Sequence, residues 1–267
     1  MSEYVPLDGK SFRLAMGLRP LDLSNWFESD HGVAVELDEK RRLLRDRRDE
    51  IVGLLDSCRP AAEELRALVV EHVGAPKVVA VDHPLIEASL LVPDDLCIME
   101  RFDDEWRLSG AVVAFPSRWY LADKIGRSLD TIHDVVPGYA TQLASPVNAF
   151  FDRMTPDRSV WRLNWSLVDS PELFLPPSHR RPLDDVEEWF FRVERQTLRV
   201  LPKTGAIVFT IRTYVRSLEH LLEASAGYGS ALLLALDTAP QESLEYKGWV
   251  GVADRLRERL RPRGVVK

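Results

Sequence analysis

Six histidines supply the imidazoles of this 267-residue chain: His31, His72, His83, His133, His179 and His220. A neutral imidazole is a common ligand for transition metals, so each is first weighed as one. His83 precedes Pro84 at the start of a helical stretch, a rigid place for a ring, although bonding to its own helix entry is the competing role. His133 closes a short helical stretch before Pro137-Gly138, where a ligand and a residue hydrogen-bonded within the core are the two readings. His31 and His72 have polar neighbours, His179 follows two prolines, and His220 falls among charged helix positions, which makes all four poor ligands. Cys58 and Cys97 stand far apart and lie in no Cys-x-x-Cys-His run, so they provide neither a disulfide framework nor a four-thiolate site. Cys97, between Leu96 and Ile98, reads as a small core thiol. Arg212 sits between Ile211 and Thr213 in a strand-like run, and an arginine there needs an anion. That anion is either Glu194 on the neighbouring strand or a bound one. No Gly-x-Gly-x-x-Gly, P-loop, His-Glu-x-x-His or Gly-x-Ser-x-Gly string occurs, which removes the usual nucleotide, zinc-protease and hydrolase readings.

The composition is that of an ordinary globular protein, with 45% hydrophobic and 29% charged residues. A net charge of −7 argues against a phosphate-tracking surface, so nucleic acid is not an expected partner. The start, MSEYVPLDGKSF, lacks a basic stretch followed by an apolar one, and no apolar run reaches membrane-spanning length. The expected location is the cytoplasm, away from membranes.

The elements that must position these side chains follow from periodicity. Residues up to about Trp26 carry apolar side chains without helical period and read as an arm packed on the main body. A helix is expected from Val33 to Ser57, its run from Lys40 to Glu50 forming a solvated face, and another from Pro60 to Val73. Lys77 to Val81 reads as a strand, His83 to Leu91 as a helix, and Leu96 to Met99 as a strand. Trp106 to Phe115 is a strand pair, or one strand with a turn near Ser109-Gly110. Ser117 is placed to cap a helix that Gly126 stops, followed by helices at Leu129 to His133 and Tyr139 to Met154. Three runs then alternate with period two: Val160 to Leu167, Phe191 to Leu201 and Ala206 to Val215, the last two joined by a tight turn at Lys203-Thr204-Gly205. Helices begin after Ser217 and recur near Ala231 and Val252. The expected class is α+β: a PAS-like antiparallel sheet with covering helices and helical N- and C-terminal extensions. Residues 1–100 form the helical N-terminal part, 101–216 the PAS-like core and 217–267 the C-terminal helices, in one compact unit.

Four strings carry more than periodicity: FRLAMGLRPLDLSNW, FPSRWYLADKIGRSLDTIHDVVPGY, VWRLNWSLVD and RVERQTLRVLPKTGAIVFTIRTY. In this order they resemble the haem-dependent oxidative N-demethylase family. The resemblance implies a PAS-like domain that binds haem b and a monooxygenase reaction on the methyl group of a secondary amine such as dimethylamine. Oxidation at that carbon gives a carbinolamine or iminium, and water releases formaldehyde. Electrons would come from NADPH through FMN and a [2Fe–2S] cluster on a separate reductase, and O2 would be the second substrate. The thiol count here allows neither covalent haem attachment nor that cluster.

Within the resemblance, His133 is the leading axial ligand and His83 the second choice. Arg118, Arg195 and Arg212 are the propionate candidates, with internal pairing as the alternative for Arg212. Trp161, Trp165 and Tyr214 would wall a cofactor and amine pocket, unless they are plain core, and Glu194 would supply its anion. Asn164 and Gln196 would hydrogen-bond iron-bound oxygen or satisfy buried backbone. A non-catalytic haem-PAS sensor is the alternative function. It usually carries an output module, and none is recognisable here. His133→Ala is expected to abolish haem retention with the fold intact; a visible spectrum like that of the unaltered protein would shift ligation to His83.

Overall fold

The computed structural model describes residues 4–75, 82–179 and 188–260. The expected strand at Lys77 to Val81 lies outside the described residues. Seven strands form one antiparallel sheet in the order β1-β5-β6-β7-β3-β4-β2. They are β1 (Arg19–Pro20), β2 (Val52–Leu54), β3 (Asp95–Phe102), β4 (Glu105–Val112), β5 (Val160–Val168), β6 (Phe190–Val200) and β7 (Ile207–Ser217). Helices α1 (Val33–Asp46), α2 (Arg48–Ile51), α3 (Arg59–Val73) and α4 (Pro84–Ser89) precede β3. Between β4 and β5 lie α5 (Leu129–His133) and α6 (Ala144–Asp152). The chain continues after β7 through α7 (Leu218–Ala224), α8 (Ala226–Thr238), α9 (Gln241–Lys247) and α10 (Val252–Leu260). The fold is therefore α+β with helical extensions on both sides of the sheet-forming segment. Among the described residues, no helix is long and apolar enough to cross a membrane.

Strand alternation sorts the side chains onto two faces. On the front, Cys97, Met99, Leu198, Val200, Ile207 and Phe209 pack with Leu129 of α5 and Phe151 of α6. On the back, Leu96, Ile98, Val112 and Val208 meet α3, α4 and the arm residues Trp26 and Phe27. Farther along the back, Leu167, Phe191 and Val193 pack against α7, α8 and α10. The arm earns its place in the same way. Phe12, Leu14, Met16 and Leu18 turn inward while Ser11, Arg13, Ala15 and Gly17 stay exposed, and Arg19–Pro20 pairs with the edge of β5.

Several boundaries differ from the expectation. The helix read from Val33 to Ser57 ends at Asp46; after one short turn, Val52–Leu54 pairs with β4 as an edge strand. The turn near Ser109-Gly110 does not form, because β4 runs through it and the chain reverses at Asp103, with φ 53°. Gly110 instead serves close packing: a Cβ there would stand 2.7 Å from Cys58 Sγ. Ser117 caps no helix. It bridges to Leu175, and the following segment makes only a 3₁₀ turn at Leu121–Asp123.

The charge run on α1 is a solvated face for Arg41 and Arg42, which pair with Asp38 and Glu39. Lys40 is the exception. Fully buried, it donates to the carbonyls of Ser89, Val92 and Asp94 at 3.2, 3.0 and 2.6 Å. Burial pulls its ammonium down to about 8, opposed by the charges of Asp95 and Asp94.

Arg195 and Arg212 are also buried, and both stand on the back of the sheet. Arg212 donates to both oxygens of Asp30 at 3.1 Å and pairs with Glu36 at the start of α1. Its partner is thus not Glu194, which the β6–β7 register places on the front. Arg195 donates to the carbonyls of Trp26 and Asn25 and lies 3.5 Å from Glu28. Removing one member of a buried pair leaves the others desolvated and uncompensated. Arg212→Ala is expected to lower the unfolding free energy by about 3–5 kcal/mol. A urea midpoint unchanged by that substitution would show that the arm's acids do not need it.

Candidate functional site

The front of β5–β6–β7 holds the polar residues that packing does not consume. Register pairs Arg162 with Gln196 and Asn164 with Glu194 across β5–β6, then Gln196 with Ile211 and Glu194 with Thr213 across β6–β7. All share the face of Phe209 and Leu198. Strand β6 lies between two neighbours, yet Glu194 and Gln196 are only half-buried, whereas Val193, Arg195 and Thr197 on its back are buried. The front is therefore less covered at Glu194 and Gln196 than at Leu198, which α5 and α6 pack against.

Glu194 is the hub. Asn164 Nδ2 and Gln196 Nε2 both donate to its Oε2, at 3.3 and 2.9 Å. Arg192 Nε lies 3.7 Å from its Oε1, and the other Arg192 nitrogens donate to the carbonyls of Leu173 and Phe115. The three residues expected to be catalytic, Glu194, Asn164 and Gln196, thus form one hydrogen-bonded group. Among the described residues Asn164 and Gln196 bond the carboxylate rather than backbone.

His133 ends α5, whose Leu129 and Ile132 pack into the front core. Its Nδ1 lies 2.8 Å from the Leu129 carbonyl. A carbonyl only accepts, so Nδ1 carries the hydrogen and Nε2 keeps its lone pair. Burial lowers the ring's proton affinity; the Leu129 bond and Asp130 oppose this, while the charges of Lys124 and Arg162 add to it. The net effect favours the neutral imidazole, the state that ligates a metal. The ring stacks on Tyr139 at 4.8 Å, and Tyr139 donates to Asp130, which also accepts from Asn148 of α6. Gly138 makes this possible: its φ is 79°, and a Cβ would meet Gln142 at 2.7 Å. The turn brings Tyr139 back over the imidazole.

Arg162 is the residue that sequence reasoning passed over. Its Nε is buried with no hydrogen-bond partner, and no carboxylate lies within ion-pair distance among the described residues. Desolvation works against its charge, and Glu194 only partly offsets this. The same signal that drew attention to Arg212 was present: an arginine between apolar neighbours, here Trp161 and Leu163.

The remaining candidates lie elsewhere. Trp161, Trp165 and Tyr214 are on the back, so they do not form a box with Glu194. Trp161 lies against Tyr4, Trp165 stacks on Phe191 and Trp249, and Tyr214 bonds Glu28. Arg195 and Arg212 are on that side too. Arg118 takes a left-handed backbone conformation, φ 66°, and pairs with Asp169; its charge reaches front-facing Arg192. His83 caps α4, its Nδ1 accepting from Leu85 N at 3.3 Å, which is the helix-entry role. A groove of about 330 Å³ lined by Arg41, Leu44, Arg45, Arg48, Asp82, Ile86 and Leu90 contains none of the expected site residues.

A haem needs an axial base, apolar walls and cations for its carboxylates. His133 with Nε2 left as a base, the half-buried Phe209 and Phe150, and half-buried Arg162 with its unpartnered Nε fit that demand on one side of the sheet. The family described as haem-dependent oxidative N-demethylase, alpha subunit-like, matches residues 73–257. The match takes in the middle and late strings and begins after the arm.

A buried guanidinium without an anion costs stability. Arg162→Met is expected to raise the unfolding free energy of the haem-free protein by about 1 kcal/mol, the opposite sign to Arg212→Ala. A lowered urea midpoint would mean that Arg162 has a structural partner.

Proposed function

Because this chain belongs to the haem-dependent oxidative N-demethylase, alpha subunit-like family, we propose that it is the haem-binding, catalytic component of a monooxygenase that removes a methyl group from a secondary amine as formaldehyde. The observation that carries the reading is His133, fixed by its Nδ1–H bond to Leu129 with Nε2 left as a base. That ring stands on the side of the sheet that carries the Glu194 group. The sheet order adds support for a PAS-like core: β3, its first long strand, lies beside β7, its last, and helices occupy the connection between β4 and β5.

When bound, haem supplies an iron that activates O2 for oxidation at the methyl carbon. His133 Nε2 would hold the iron, the Leu129 carbonyl keeping the ring in the tautomer that leaves Nε2 available. Arg162, with Arg118 as a second candidate already paired with Asp169, would provide cations for haem carboxylates. Glu194 accepts an N–H of the protonated amine, and the amide groups of Asn164 and Gln196 keep its carboxylate aimed. The resulting carbinolamine breaks its C–N bond, releasing formaldehyde and the shorter amine. A separate flavin and iron–sulfur reductase drawing on NADPH is the matching electron source.

Protein expressed with hemin should show a Soret band, and dimethylamine plus a reductant and O2 should yield formaldehyde. Glu194→Gln should keep the band while cutting formaldehyde release by about 100-fold, the range in which a positioned charged group acts. A colourless protein would defeat the haem assignment, and a coloured one inert to every secondary amine would leave a haem-binding protein without this reaction.

A further inference from the structure

The loop between α5 and α6 is shaped around one aromatic ring. In the string HDVVPGY two turns follow each other, with Val136 N donating to the His133 carbonyl at 2.9 Å and Tyr139 N to the Val136 carbonyl at 3.0 Å. Gly138 then turns left-handed, and Tyr139–Leu143 winds as a π-helix into α6. A π-helical turn is rare and is found frequently at functional sites. Here it opens on Tyr139, which is buried.

Several contacts limit where the His133 ring can lie. Its Nδ1–H bond to Leu129 fixes the tautomer, but a single hydrogen bond leaves the ring able to tilt about it. Tyr139 closes that freedom. Its ring centre lies 4.8 Å from that of the imidazole, with the two planes 19° apart, so one whole face of the imidazole is covered. The phenol is tied down in turn: its hydroxyl donates to Asp130 at 3.2 Å, and Asp130 also accepts from Asn148 of α6 at 2.9 Å. The helical turn that carries His133 is held separately by Lys124, whose Nζ donates to the Ile132 carbonyl at 2.6 Å. Plain packing does not ask for a parallel ring. The neighbouring pairs Trp106–Phe151 and Phe150–Phe151 meet edge to face.

We propose that Tyr139 is a positioning residue for His133: its stacked ring, tied to α6 through Asp130, sets the plane of the imidazole and the direction of Nε2. The inference rests on the reading of His133 as the iron ligand and adds to it the residue that aims that ligand. Tyr139 touches neither the iron nor the amine. A metal-binding imidazole held by an outer partner loses less freedom on ligation, and removing such a partner weakens metal binding by about 10- to 100-fold.

The test uses the full chain with Tyr139→Met, which keeps bulk without a flat ring, and Tyr139→Phe, which keeps the ring without the Asp130 bond. Tyr139→Leu replaces the methionine variant should that one not fold. In protein without hemin, carbon-13 relaxation of the imidazole C–H groups, assigned by their loss in His133→Ala, reads the motion of the ring. Its order parameter is expected to fall from about 0.85 to below about 0.6 in Tyr139→Met and to stay high in Tyr139→Phe. Soret titration should show hemin affinity about tenfold lower in Tyr139→Met. The ferrous iron–imidazole stretching band should shift or broaden in the same variant, and Tyr139→Phe should restore both. An imidazole that stays rigid in Tyr139→Met, whatever happens to the urea midpoint, reduces Tyr139 to packing and overturns the proposal. Loosening with unaltered hemin affinity and band overturns it as well, because the ring's freedom would then not matter to the iron. If the unaltered protein takes up no hemin yet its imidazole loosens in Tyr139→Met, the haem reading fails while the positioning of His133 stands. No hemin uptake and no loosening overturn both.

Discussion

Strands β6 and β7 pair over eleven residues each without a slip, and β5 joins them in matching register. A sheet that pairs so regularly leaves each side chain only two directions. Every even position of β6 from Arg192 to Leu198 stands on the front with Phe209, and every odd one stands on the back with the arm and the outer helices. The chemistry of the chain follows from that division. A slip of one residue would turn Glu194 to the back, where Trp26 and Glu28 meet Arg195, and Arg195 to the front.

The two faces treat their charges in opposite ways. On the back, Asp30, Glu36 and Glu28 converge on Arg212 and Arg195, so desolvation is matched by charge-assisted bonds. On the front, the terminal nitrogens of Arg192 are satisfied by carbonyls and Glu194 by two amides, while Arg162 has no carboxylate within ion-pair distance among the described residues. Folding gains from the first arrangement and is taxed by the second. The front thus keeps an arginine whose charge reaches a tautomer-fixed imidazole, a combination the back does not contain among the described residues.

Much of the architecture was legible because period-two runs and short, well-capped helices are local signals. Val160 to Val168, Phe190 to Val200 and Leu129 to His133 emerge nearly at their expected bounds. Facing was not legible to the same degree. Alternation separates Trp165 from Asn164, but only pairing with β6 and coverage by α5 or α8 reveals which set shares the front with Glu194. The short strand Val52–Leu54 was missed because three residues carry no period, and its pairing is supplied by a distant edge of β4. Lys40 was hidden inside a run of solvated charges. Its clue was spacing, three residues after Leu37 and four before Leu44, which sets it on the apolar stripe. Arg118 and Arg212 drew attention through strand context, whereas Arg162 met the same criterion and was overlooked.

The arm that neutralises the back of the sheet carries a consequence for how the chain is made. Asp30 and Glu28 meet their strand partners across sequence separations of 182 and 186 residues. A ribosome emits those acids long before it emits β6 or β7, so they wait hydrated while most of the polypeptide is synthesised. Contacts of such long range are slow to close because loop entropy must be spent first. Closure of the back is therefore a late, whole-chain event, and a nascent chain stalled before residue 190 would hold its acidic arm with nothing to grip.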